Sequence, residues 1–289
     1  MDIKDLQIFK EVAKQKNITK AANKFNYVQS NITSRLSKLE NEVGYTLLIR
    51  TNKGVFLTNE GEIFLTYVDK ILHLHEESLQ ALDEQQPTGN LSIGATDIVT
   101  ATRLPAILTA FLADYPGINL SLKNESTEAL IADILKFNLE GAFITDNIEH
   151  PYIQFEPLLT EELVLISNKV QVPIHNLNDV KNATILVFKQ GCTYRRKMEE
   201  WINKEGILLK KIEFGTIEGM IGCVKAGLGV ALVSKHLAYQ LNVSNTLQYH
   251  HVPEQFRYVE TGFICRKDVT PTIALQRFIN TTKNKMISI

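Results

Sequence analysis

The sequence predicts an α/β protein in three parts: a small all-α head closed by a winged hairpin, a long linker helix, and a large α/β body of two subdomains. Three observations carry this prediction. Apolar residues among the first 60 positions recur at helical spacing and then give way to a short hairpin pattern. Residues 59 to about 85 contain no proline and a single early glycine. From residue 89 onward, short apolar runs alternate with helix-like segments, the pattern of a doubly wound α/β unit.

In the head, Leu6, Phe9, Val12 and Ala13 share a helical face, and Ala21, Ala22 and Phe25 continue the pattern after a break at Lys16 and Asn17. Adjacent alanines let another helix cross at close range, and the Thr19 hydroxyl is placed to cap the second helix. Ile32, Leu36, Leu39 and Val43 form the stripe of a third helix that Gly44 ends. This is helix-turn-helix organisation, in which the start of the second helix of the motif meets base edges in the major groove. Gln29, Ser30, Asn31, Thr33, Ser34 and Arg35 occupy that start, with Lys38 one turn on, and Thr19 at the start of the preceding helix is a further expected DNA contact. They are short polar groups with an amide suited to adenine and a guanidinium suited to guanine or phosphate. The stretch YTLLIRTNKGVFLTNEG then reads as a strand, a turn at Asn52, Lys53 and Gly54, and a returning strand. Arg50, Thr51 and Lys53 make it a wing that can lie along phosphates.

Charge agrees with this division. The 289 residues are 44% hydrophobic and 22% charged, with a net charge of −1. Residues 1–60 hold ten basic against six acidic side chains, +4, which leaves 21 against 26, or −5, for the remainder. A basic module on an acidic body suits a polyanion partner at one end. No apolar run approaches a membrane span, and the acidic start MDIKDLQIFKEV is unlike a secretory signal, so a cytoplasmic protein is expected. Cys192, Cys223 and Cys265 form no CxxC pair, which predicts neither a disulfide framework nor a zinc site. His73 and His75, two apart on a helix, and the adjacent His250 and His251 likewise lack metal-ligand spacing.

The segment QSNITSRLSKLENEVGYTLLIRTNKGVFLTNEGE resembles the DNA-binding region of LysR-type transcriptional regulators. The matching positions are Gln29, Ile32, Leu39, Glu40, Gly44, Leu47, Arg50, Thr51, Gly54, Leu57, Thr58 and Gly61. Ser30 stands where proline is usual, Thr33 for serine, and Ser34 where arginine is frequent, with Arg35 one position later. The body adds Gly94 followed by Leu104-Pro105, and the phrases FKQGCTYRRKMEEWINKEG and VKAGLGVALVSK. The resemblance implies a periplasmic-binding-protein-like effector domain, a dimer or tetramer, double-stranded DNA and RNA polymerase as partners, and a small polar metabolite or carboxylate as effector, with no resident cofactor or metal.

Between head and body, Phe64, Val68, Ile71, His75, Leu79 and Leu82 lie three or four apart, widened by Ile63, Tyr67, Leu72 and Leu74. The pattern predicts a coiled-coil-like helix that pairs with its own copy, giving an operator that is an interrupted inverted repeat. Gln85, Gln86, Pro87, Thr88, Gly89 and Asn90 form a hinge. The expected division is 1–58 for the winged domain, 59–88 for linker and hinge, and 89–289 for the effector domain. Its subdomains are 89–160 with 262–289, and 161–261.

In the body, expected strands are Leu91–Gly94, Asn119–Asn124, Gly141–Ile144, Leu163–Ser167, Thr184–Phe188, Glu213–Phe214, Gly229–Val233 and Gly262–Cys265. Expected helices are Leu104–Asp114, Ser126–Lys136, Arg195–Lys204, Ile217–Lys225 and Thr272–Thr282. Ligands of open α/β sheets settle at the carboxyl ends of strands. The loops there supply Thr96, Ile98, Thr100, Ser126, Thr127, Thr145, Gln190, Thr193, Ile217 and Met220 as expected effector contacts. Hydroxyls and helix starts of this kind bind a small anion without reacting with it. Gly227 and Gly229 follow a helix and precede a strand, the reverse of a dinucleotide fingerprint, and read as a helix stop.

An enzyme is the first rival, but GxSxG, P-loop and HExxH motifs are absent. A redox sensor on the same scaffold is the second, with Cys192 beside Arg195 and Arg196.

Overall fold

The computed structural model describes residues 1–52, 54–80, 88–169, 174, 176–180, 184–241 and 245–286. Lys53, Leu82, Gln85, Gln86 and Pro87 lie outside the described residues. The chain divides into two compact units, Met1–Glu84 and Gln85–Ile289.

The first unit holds α1 (Ile3–Gln15), α2 (Ile18–Phe25), α3 (Gln29–Val43), β1 (Leu48–Thr51), β2 (Gly54–Leu57) and α4 (Asn59–Gln80). Asp2 caps α1 and Asn17 caps α2, each carboxylate or amide oxygen accepting a first-turn N–H at 3.0 Å. Asn17, not Thr19, is the cap because its extended backbone precedes the helix, whereas Thr19 already lies in the first turn. Leu6, Phe9, Ala21, Ala22, Ile32, Leu36 and Leu39 are buried together, and the two alanines admit the close crossing that the motif needs.

Three contacts tie the wing to the helices. Glu40 Oε1 accepts the N–H groups of Leu47 and Leu48 at 2.8 and 3.1 Å. The Val55 N–H donates to the Lys16 carbonyl at 3.0 Å, and a Cβ on Gly54, whose φ is +131°, would sit 2.7 Å from that oxygen. Thr58 donates to the Thr46 carbonyl and accepts from the Gly61 N–H at 2.8 and 2.9 Å, starting α4. A Cβ on Gly61 would lie 2.1 Å from the Leu47 carbonyl oxygen, so glycine is required there.

The expected coiled-coil seam is corrected by the packing of α4. Val68 is buried, and Phe64, Ile71 and Leu72 pack against the head core. Phe9 and Phe64 meet edge to face with centroids 5.5 Å apart. The apolar residues left outward are Ile63, Tyr67 and Leu74 on one face, with Leu79 on another. Helix α4 therefore spends its most regular stripe on its own head, and residues on either side of position 58 share one core.

The second unit holds β3 (Gly89–Ala95), α5 (Asp97–Thr102), α6 (Leu104–Asp114), β4 (Ile118–Asn124), α7 (Thr127–Leu135), β5 (Gly141–Thr145) and β6 (Ile153–Asn168). A 3-10 turn (Leu177–Val180) leads to β7 (Thr184–Phe188), α8 (Thr193–Glu205), β8 (Lys210–Phe214), α9 (Ile217–Lys225), β9 (Gly229–Ser234) and α10 (Lys235–Leu241). Then come β10 (Leu247–His250), α11 (Glu254–Arg257), β11 (Tyr258–Arg266) and α12 (Ile273–Met286). Strands run in the order β4-β3-β5-β11-β6-β9-β7-β8, with β10 also on β6. Each leaf has a parallel trio, β4-β3-β5 or β8-β7-β9, and separate apolar cores lie around Phe111, Phe143 and Phe278 and around Trp201 and Tyr194.

Strand β6, with 16 residues, belongs to both leaves: Ile153–Glu162 pairs with β11, and residues beyond it pair with β9 and β10. The register between β6 and β11 shifts between Thr261 and Gly262. The crossing is thus a bulged pair of strands. The expected Leu163–Ser167 is only the second half of β6. Helix α5, Asp97–Thr102 with Thr96 as its N-cap, was read from sequence as loop, and α10, β10 and α11 were not anticipated, being short and bounded by contacts distant in sequence. Gly227 has φ +84° and does end the turn after α9.

Gly61→Ala should destabilise the head by roughly 2 kcal/mol or more through backbone overlap, read as loss of amide protection in α4 by hydrogen exchange. Burial alone would raise the Glu11 carboxyl, but hydrogen bonds from Lys24 and Gln15, with the charges of Lys24 and Lys14, hold it below its ordinary value. Its contribution is complete above the unfolded carboxyl value, about 4.3, and is lost as pH falls through the lower folded value. Glu11→Gln should therefore lower the head's melting temperature at pH 7, with the gap to the parent closing in acid, as followed by circular dichroism.

Candidate nucleic-acid interface and ligand cleft

Helix α3 has two faces. Ile32, Leu36 and Leu39 point into the head, while Gln29, Ser30, Ser34 and Lys38 are exposed and Thr33 is half-buried beside them. Thr19 donates its hydroxyl to Gln29 Oε1 at 3.1 Å, which leaves the Gln29 amide N–H groups directed by a neighbouring helix. Arg35 is engaged within the head. Its Nη1 binds the buried Asp5 carboxylate at 2.6 Å, its Nε donates to Asn31 Oδ1 at 3.2 Å, and its guanidinium lies 5.7 Å from the Tyr27 ring. Arg35 therefore ties α3 to α1, with the exposed Asn31 orienting its guanidinium from within α3. On the wing Arg50 and Thr51 are exposed, with the Thr51 hydroxyl closing the turn on the Gly54 carbonyl at 3.1 Å.

The cap of α3 is unusual. Val28 holds the N-cap position with an extended backbone and no side-chain hydrogen bond, and it is 69% exposed. Ser, Thr, Asn or Asp in that place would add about 1 kcal/mol of helix stability.

In the body, the starts of α5, α7 and α8 converge. The space between them, narrow and partly open to solvent, is lined by Thr96, Asp97, Ile98, Glu125, Ser126, Thr127, Thr145, Phe188, Lys189, Gly191, Cys192, Thr193 and Tyr194. A polar lobe of about 800 Å³ adjoins it, bounded by Gln190, Asp146, Asn147, Arg195 and Arg196 among others. Of the expected contacts, Thr96, Ile98, Ser126, Thr127, Thr145 and Thr193 line the cleft and Gln190 the outer lobe. Thr100 lies one turn deeper in α5, and Ile217 and Met220 are buried in the apolar core. They fail as contacts because α9 turns its first apolar side chains beneath β7 and β9 rather than toward the cleft.

The cleft is bridged by direct contacts. Thr193 donates to the Thr145 carbonyl at 2.8 Å, Arg196 pairs with Asp146, and Lys189 lies 3.7 Å from Asp97. Arg195 is taken up by Glu199, Glu213 and the Phe188 carbonyl. The buried Thr96 hydroxyl has no hydrogen-bond partner among the described residues, and Glu125 no ion-pair partner among them. Burial pushes the Cys192 thiol up, outweighing the backbone N–H groups of Arg195 and Tyr194 that favour thiolate. A protonated thiol is a poor nucleophile, which argues against the redox alternative.

Family models match both units: "Bacterial regulatory helix-turn-helix protein, lysR family" over residues 3–62 and "LysR substrate binding domain" over residues 84–286. The chain belongs to the LysR family. It is 42% identical to the HTH-type transcriptional regulator SoxR of Arthrobacter sp. (strain TE1826), covering 98% of this chain and 97% of that protein. It is 40% identical to the HTH-type transcriptional regulator CzcR of Bacillus anthracis, covering 97% and 96%. The crystal structure of ArgP from Mycobacterium tuberculosis shares the fold with a TM-score of 0.78 at 17% identity, covering 99% and 97%. This LysR-family chain is a DNA-binding transcriptional regulator with an effector-binding domain, and not an enzyme.

Sequence reasoning missed the polar cluster at the subdomain crossing of this regulator. Glu161 of β6 is buried and receives Arg103 Nη2 at 3.3 Å, the Tyr194 hydroxyl at 3.2 Å and the Thr261 hydroxyl at 2.9 Å. Arg103 is buried with it. The four come from positions 103, 161, 194 and 261, and no local motif joins them. Arg103→Met should destabilise the effector domain by about 3–5 kcal/mol by stranding the Glu161 charge, whereas Arg103→Met with Glu161→Leu should cost less than either change alone. Urea unfolding followed by fluorescence of Trp201, the single tryptophan, reads this domain directly.

Proposed function

We propose that the outward face of α3 reads the major groove of double-stranded DNA, that the wing follows the phosphates, and that the cleft takes a small polar effector. The observation that supports this most is the division of labour on α3. Gln29, Ser30, Asn31, Thr33, Ser34 and Lys38 lie on the outer side of the helix, while Arg35 braces it against α1. Two copies pair through α4 by the face bearing Ile63, Tyr67 and Leu74, placing two heads on an interrupted inverted repeat. Pairs of dimers make the tetramer.

The effector sits between subdomain 89–160 with 262–289 and subdomain 161–261. One cation, Lys189, stands against Asp97 and Glu125 in the lining, so a singly anionic molecule with further hydrogen-bonding or cationic groups fits better than a polyanion. Its differential affinity for two subdomain arrangements shifts the spacing of the paired heads. On the chromosome, in the cytoplasm, that spacing sets how the bound protein meets RNA polymerase.

The test is selection of genomic fragments by purified protein, then footprinting at two salt concentrations. An interrupted palindrome protected over both half-sites is expected; salt-sensitive binding without preferred sequence would overturn the reading. Gln29→Ala should cost tenfold or so at the selected operator and flatten sequence preference. Lys38→Ala should weaken all sequences alike and reduce the salt slope by about 1.

A further inference from the structure

Val28 is expensive where it stands. It is a β-branched apolar side chain, 69% exposed, at a helix start where a hydroxyl or amide would satisfy a backbone N–H. Neither exposure nor the missing cap bond serves the head's own stability. Its backbone is nonetheless held: the Val28 carbonyl accepts the N–H groups of Asn31 and Ile32 at 3.0 and 3.4 Å. The next residue, Gln29, is steered by Thr19. A side chain with one free torsion is thus presented rigidly at the end of α3 that faces base edges. Apart from hydrogen-bonding groups, the major groove displays one apolar feature, the 5-methyl group of thymine.

We propose that Val28 reads the methyl group of one thymine in each half-site, next to the base pair met by Gln29. The proposal rests on α3 being the reading helix. Dehydrating one methyl group against Val28 corresponds to about a four-fold change in affinity. Contact by a β-branched residue held at its backbone costs little ordering on binding.

The experiment uses the full chain and its selected operator, with each thymine of one half-site replaced in turn by deoxyuridine, which removes only the methyl. Binding is measured by fluorescence anisotropy at fixed salt for the parent, Val28→Ser, Val28→Ala and Gln29→Ala. One thymine position should weaken parent binding about four-fold, and that position alone should become indifferent in Val28→Ser and Val28→Ala. Val28→Ser should also raise the head's melting temperature by restoring a cap, so weaker binding cannot be laid to unfolding. A uracil effect that survives in both Val28 variants, or no uracil effect anywhere in the half-site, overturns the proposal. Should Gln29→Ala leave operator preference intact as well, the recognition-helix reading falls with it; should Gln29→Ala abolish preference while Val28 proves silent, only the methyl contact is wrong.

Discussion

A carboxylate buried where two strands cross between subdomains must be answered from both sides, and Glu161 is. Arg103 reaches it from the first subdomain, Tyr194 from the second, and Thr261 from the partner strand at the register shift. Taking one such charge out of water costs several kcal/mol, so an arrangement of the subdomains that separates it from these partners must supply replacements. Tyr194 also lines the cleft, two residues from Cys192 and next to Thr193. The same stretch of chain therefore feels what enters the cleft and what the crossing tolerates. Closure is not free to take any angle. It is limited to those that keep the carboxylate satisfied.

The head obeys a similar economy with apolar surface. Three helices of 13, 8 and 15 residues cannot enclose a core unaided, and α4 supplies the missing wall through Phe64, Val68, Ile71 and Leu72. Charged pairs finish the edges: Lys10 with Asp69, Lys24 with Glu11, Arg35 with Asp5. Arg35 shows how a basic residue in a helix-turn-helix can be structural. Its guanidinium is held by Asp5, and the exposed side of α3 carries Gln29, Ser30, Ser34 and Lys38.

Much of this was legible in the sequence. The helix-turn-helix, the wing and the alternation of the body all follow from periodicity, small residues and glycines whose local roles are strict. What stayed hidden depends on neighbours far along the chain. The stripe on α4 reads equally well as a dimer seam or as a wall, because periodicity names a face and not its partner. Ile217 and Met220 open a helix at the right end of a strand, yet both side chains are buried in the apolar core, and which side of a helix start turns inward is set by neighbours far along the chain. Thr19 and Asn17 are both good caps, and only the backbone of Asn17 decides between them. Seven of the ten expected cleft residues lie on the cleft or its outer lobe because strand ends and helix starts localise a site well. The Glu161 cluster has no such local mark.

One consequence concerns mechanics. Because the Lys16 carbonyl, Glu40 and Gly61 pin wing, α3 and the start of α4 together, the first unit has no swivel between α4 and α3. It is a lever without a joint. A small rotation imposed at the far end of α4 arrives at α3 as displacement rather than being absorbed as strain in a loop, and the length of the helix, 22 residues or about 33 Å, multiplies it. Modest torque at one end is then enough to move a side chain across the width of a base pair at the other.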